Sequence, residues 1–139
     1  MDTAIGPNER IDRLEKKALL TALWLFVFLN HIFRAIHEIV KAEFLADAMN
    51  GIYNGMEVTE GMFLLGGIMI AIPIAMVPMM WVLPLRASRW ANVGVASFHG
   101  LTVILAGAGD LDDYLHASLE LIAVAFIIWQ AWSWERSRS

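Results

Sequence analysis

LLTALWLFVFLNHIFRAIHE, residues Leu19 to Glu38, decides how this chain is read. Its first half is apolar apart from Thr21, the pattern of a helix in lipid. Its second half puts Asn30, His31, Arg34, His37 and Glu38 into the same run. Ionisable side chains at bilayer depth are costly and normally line a protein interior or a water-filled cavity, so they mark a functional site by default. At about 100° per residue, Asn30, His31, Arg34, His37, Glu38 and Lys41 fall within an arc of roughly 120° on one helix face.

Composition sets the class. Of 139 residues, 58% are hydrophobic and 17% charged, against the roughly 45–50% and ~25% of soluble domains. Four apolar stretches, 18–40, 61–83, 91–107 and 114–134, approach or reach the roughly 17–25 residues that cross a hydrocarbon core. No long linker separates them, so residues 1–139 read as one domain, an all-α four-helix transmembrane bundle. The charged segment before Ala18 is too long for the leader of a cleaved signal peptide, so the first span is expected to be retained. Without cysteine there are no disulfides, thiolate metal ligands or iron–sulfur clusters. Nothing in the chain points to nucleic acid.

Orientation follows from the bases. Arg10, Arg13, Lys16 and Lys17 precede span one, Arg86 and Arg89 lie between spans two and three, and Arg136 and Arg138 follow span four. The other two connections hold Lys41 alone, beside Glu43, Asp47, Glu57, Asp110, Asp112 and Asp113. The positive-inside rule then places both termini in the cytoplasm, and the acidic connections outside, of a bacterial inner membrane. In the first connection, Ala42 to Met49 has the pattern of a short amphipathic helix, with a plain hairpin as the alternative, followed by turn signals at Asn50-Gly51 and Asn54-Gly55. Pro73 and Pro78 kink span two. Ala96 and Gly100 give span three a close-packing face, compatible with a homo-oligomer.

The other spans carry polar groups towards the same end. Asp113, His116 and Glu120 share a face of span four; Asn92, His99 and Thr102 share one of span three; Glu60 opens span two. The convergence predicts an outward-opening pocket for a hydrophobic small molecule. His116, Glu120, His31, Arg34 and Glu38 are its candidate catalytic residues, and Asn30, His37, Glu60 and His99 its candidate binding residues. Paired His and carboxylate groups suit general acid–base chemistry such as isomerisation or hydrolysis. A second reading is a redox subunit holding haem b or a divalent metal, with His31 and His99 as candidate ligands, or a nitrogen–oxygen set from His116, Glu120 and His31 or His37. A third is an accessory subunit or an oligomeric transporter. Structural readings compete: an Arg34–Glu38 pair one turn apart, His99 as an interhelical hydrogen-bonding residue, His37 and Lys41 reaching the interface, and Asp112 or Asp113 capping span four.

NHIF from Asn30, MNGIYNGMEVTEGMFLLGGIMIAIPIAM from Met49, RASRWANV from Arg86 and the terminal IIWQAWSW resemble an uncharacterised family of small bacterial four-span membrane proteins. The resemblance implies a four-helix inner-membrane fold and carries no activity. Arg34, His37 and Glu38 make the first span more charged than it implies. A looser, architectural likeness is to small four-span haem-containing epoxide isomerases.

Overall fold

The computed structural model describes residues 6–53 and 55–134. Asn54 and the bases Arg136 and Arg138, used above for a turn and for orientation, lie outside the described residues. Five helices and one two-stranded hairpin make up the described chain: α1 (Pro7–Ile39), α2 (Ala42–Met49), β1 (Ile52–Tyr53), β2 (Met56–Glu57), α3 (Glu60–Val82), α4 (Leu85–Ala106) and α5 (Leu111–Ser133).

Local chemistry explains the boundaries. Pro7 starts α1, where its missing N–H costs nothing. The helix thus begins well ahead of the expected boundary at Ala18, because Arg10 to Lys17 are good helix formers and continue the apolar turn pattern outward. The stretch Ala42–Met49 is a helix, and Phe44 meets Tyr53 of β1 edge-on at 6.0 Å. β1 and β2 pair antiparallel, Ile52 opposite Glu57, with Gly51 and Gly55 at φ near +70° on either side, a conformation glycine takes without penalty. Thr59 caps α3 by accepting from the Met62 N–H. Gly107, at φ 70°, ends α4. The cap of α5 is Asp110, whose Oδ1 accepts from the Asp113 N–H at 2.9 Å. The expectation of Asp112 or Asp113 as the cap is therefore corrected: the helix starts earlier and frees both for other partners.

α5 packs on α4 and α1, α1 also packs on α3, and α3 leans on α4. Leu20, Trp24, Val27, Met76, Met80, Ala96, Ala123, Val124, Ile127 and Trp134 form the core. Gly100 of α4 faces α5 so closely that an added Cβ would lie 3.1 Å from Val124 Cγ1. Polar groups are buried too: Trp24 Nε1 donates to Asn92 Oδ1 at 2.7 Å, and Asn92 Nδ2 donates to the Ser88 carbonyl at 2.7 Å.

The exterior inverts the soluble pattern. Leu25, Phe26, Leu29 and Phe33 of α1, Phe63, Leu64 and Leu65 of α3, Leu101, Ile104 and Leu105 of α4 and Ile122 and Trp129 of α5 are exposed, while Ser88, Asn92, His99 and Glu120 are buried. An apolar belt of this extent matches lipid rather than water. Three helices, α1, α3 and α5, are long and apolar enough to cross a membrane. α4 has 22 residues and falls below them in apolarity, since it carries Arg86, Ser88, Arg89, Asn92 and His99.

Removing the Trp24 donor tests this core. Trp24→Phe leaves Asn92 Oδ1 buried and unpaired, which costs about 1–3 kcal/mol. Thermal unfolding in detergent is expected to show a clear drop in Tm, and an unchanged Tm would contradict the assignment.

Candidate functional site

The polar face of α1 climbs against α5 and the turn before it. As α1 rises from Asn30 to Lys41, its partners descend the chain from Glu120 to Asp110, an antiparallel ladder. Asn30 Nδ2 donates to Glu120 Oε1 at 3.2 Å and to the His116 carbonyl at 2.8 Å. The next rung is Arg34, whose Nε donates to Asp113 Oδ1 at 3.1 Å and whose Nη2 donates to the Gly107 carbonyl at 2.7 Å. His37 Nδ1 lies 2.7 Å from Asp112 Oδ2. Lys41 Nζ lies 2.6 Å from both Glu38 and Asp110.

Arg34 and Glu38 therefore do not neutralise each other. Arg34 turns across the interface to Asp113, and Glu38 takes Lys41 instead, because three residues of helix bring that ammonium alongside.

Glu120 is the centre of the deepest cluster. It is fully buried, on the face of α5 turned to both α1 and α4. His31 Nδ1 lies 3.5 Å from its Oε1 and His99 Nε2 lies 3.4 Å from its Oε2. The two rings meet edge to face with centroids 6.0 Å apart. An unaccompanied buried carboxylate would carry a large desolvation penalty. Here one amide and two imidazoles from two other helices surround it.

The expected His116–Glu120 pair does not form. His116 shares the helix face but directs Nδ1 to Asn30 Oδ1 at 2.8 Å and Nε2 towards Asp112 at 3.6 Å. Asn30 thus stands between His116 and Glu120 and bonds both. His37 and His116 meet edge to face at 5.6 Å. Two His clusters result: His31 and His99 around Glu120, and His37 and His116 around Asp112.

Beside the first cluster lies a cleft of about 220 Å³ between α1, α3 and α4. Its polar wall comes from His31, Arg34, His99 and Thr102, and its apolar walls include Val27, Phe28, Met69 and Pro73. Pro73 lacks the N–H that would bond the Met69 carbonyl one turn back, so a backbone acceptor of α3 is freed at this wall. Sequence reasoning missed the α3 contribution and proposed Glu60 instead. Glu60 is exposed at the start of α3 and does not line the cleft; the prolines were the available signal.

The cleft is smaller than the roughly 300–1,000 Å³ of pockets that take drug-sized ligands.

Over residues 11–139 the chain belongs to a family described as of unknown function, DUF6326. No curated protein and no solved structure matches it.

At the loop end, Lys41 holds the Asp110 carboxyl below its ordinary value of 3.8, and Asp110 with Glu38 raises Lys41 above its ordinary 10.5. The sign follows for each group. The depressed carboxyl contributes stability above about pH 3.8 that is lost as pH falls through its folded value. The raised ammonium contributes stability below about pH 10.5 that is lost as pH rises through its folded value. In Lys41→Met, carboxyl NMR is expected to show Asp110 titrating nearer its ordinary value; an unmoved titration would contradict the pairing.

Proposed function

We propose that this member of the DUF6326 family is a four-span membrane protein that binds a small, mainly apolar molecule in the cleft and moves a proton on it. The observation that carries the reading is Glu120, fully buried between two imidazoles that line an apolar cleft. Such a group is retained against its desolvation cost when it serves a site.

The roles follow from position. Glu120 lies 3.5 Å from one ring nitrogen of His31 and 3.4 Å from one of His99, so its carboxylate faces both rings. Each ring keeps a second nitrogen for proton exchange. Isomerisation by proton shift needs one base to remove a proton and one acid to return it elsewhere, with no net proton and no co-reactant. Two histidines sharing a carboxylate supply that pair. Arg34, at the outer end of the cleft, uses two of its five donors on Asp113 and Gly107, leaving others for an oxyanion. Asn30 positions Glu120. Glu38, His37 and His116 lie outside this chemistry.

All four long helices cross the bilayer in this reading. At 1.5 Å per residue the 22 residues of α4 reach about 33 Å, enough for the ~30 Å hydrocarbon core. Its buried Ser88, Asn92 and His99 account for its lower apolarity. The charged start of α1 then projects beyond the lipid on the cytoplasmic side of a bacterial inner membrane. Both termini are cytoplasmic, and α2 with the hairpin covers the outer face.

Two experiments test this. The first extracts the lipophilic molecules retained by protein purified from membranes and identifies them by mass spectrometry. A retained molecule is expected with wild type and not with Gly66→Trp, which fills the cleft. Incubated with that molecule in D2O, wild type should place deuterium on carbon. Glu120→Gln, isosteric and still able to accept from Asn30, should slow this at least about 100-fold with Tm little changed. No retained molecule, or full exchange in Glu120→Gln, would sink the reading. The second uses the absence of cysteine: an impermeant maleimide should label Asp47→Cys in intact cells and Lys16→Cys only after permeabilisation. The reverse pattern overturns the orientation.

A further inference from the structure

The second His cluster has its own chemistry. Ligand atoms of His37, Asp112 and His116 lie within 4.8 Å of one another, at the loop end of the α1–α5 interface. Three features separate this group from an ordinary polar surface.

The first is charge matching. Of the carboxylates around the start of α5, Asp110 takes Lys41 and Asp113 takes Arg34. Asp112, between them, faces two imidazoles and, among the described residues, no lysine or arginine. The second is orientation. His116 Nδ1 is engaged by Asn30 Oδ1 at 2.8 Å, so Nε2 carries the free lone pair and is the nitrogen directed at Asp112. Metal-binding histidines are usually fixed in this way, by an acceptor on the ring nitrogen away from the ion. The third is rigidity and access. His116 and Asp112 are one turn apart on α5, His37 is on the last turn of α1, and His37 is exposed, leaving room for water in a remaining coordination position.

We propose that His37, Asp112 and His116 form a binding site for a first-row divalent cation of the zinc or iron(II) class. Two imidazoles and one carboxylate with open positions are a donor set that such ions take. Ligand atoms of a tetrahedral zinc lie about 3.3 Å apart for bonds of 2.0–2.1 Å. The present separations are 2.7 Å from His37 Nδ1 to Asp112 Oδ2 and 3.6 Å from His116 Nε2 to Asp112 Oδ1, the two oxygens of one carboxylate. With one atom of each residue within 4.8 Å of the others, side-chain movements of about 1.5 Å or less bring the three to zinc-ligand spacing. The site is distinct from the Glu120 cluster, and Asn30 touches both.

The test uses the full chain in detergent, carrying no histidine tag and stripped with chelator, titrated with Co²⁺ as a spectroscopic probe and then with Zn²⁺ by calorimetry. One ion per chain is expected, with ligand-field bands of low coordination number that Zn²⁺ abolishes. His37→Ala and Asp112→Asn should each weaken binding tenfold or more, and His37, being exposed, should be replaced with Tm nearly unchanged. His99→Gln should bind as wild type. Absence of saturable binding overturns the proposal. So does wild-type affinity in His37→Ala, or loss in His99→Gln with retention in His37→Ala, which would move the ion to Glu120.

Discussion

The arrangement of this bundle depends on one buried carboxylate. Glu120 has no solvent contact, and its neighbours Asn30, His31 and His99 come from α1 and α4. In an apolar medium an unmatched ionisable group costs far more than a single hydrogen bond returns. The three helices are therefore held in the one register that brings those side chains to it. A slip of one residue on α1 would rotate Asn30 and His31 away by about 100°. Close packing at Gly100 against Val124 reinforces that register from the other side.

From Glu120 outward the ladder continues through Arg34 with Asp113, His37 with Asp112, and Lys41 with Asp110. The Glu120 and Arg34–Asp113 rungs are largely buried and the His37–Asp112 and Lys41–Asp110 rungs are exposed, so the inner pair sets geometry and the outer pair is open to water and salt. The gradient separates two chemistries along one interface. Imidazoles facing a buried carboxylate and an apolar cleft suit proton exchange with a lipophilic molecule. Imidazoles facing a solvated carboxylate suit a hydrated cation.

Much of this was legible in the sequence. The 3.6-residue pattern gave the long helices, and polar residues in the apolar run at Asn30 to Glu38 marked the working face of α1. Burial of His99 also followed from its place in α4. Partner choice did not. Glu120 is four residues from His116 and one helical turn away, so local spacing pairs them; the fold instead aims Glu120 inward at His31 and His99. Asp110, Asp112 and Asp113 look alike in a row, and only the antiparallel meeting of α1 with α5 gives each its own cation or imidazole. Glu60 lies outside the cleft because a residue at the mouth of a span need not face its interior. The cleft wall from α3 was missed because its side chains are apolar, and only Pro73 hinted at it.

Glu120 stands between His31 and His99, with a ring nitrogen of each at ion-pair distance. Nitrogen NMR of ring-labelled histidines in wild type and Glu120→Gln measures this directly. Ring-nitrogen shifts of His31 and His99 are expected to move together while those of His37 stay in place. Unmoved shifts at His31 and His99 would contradict it.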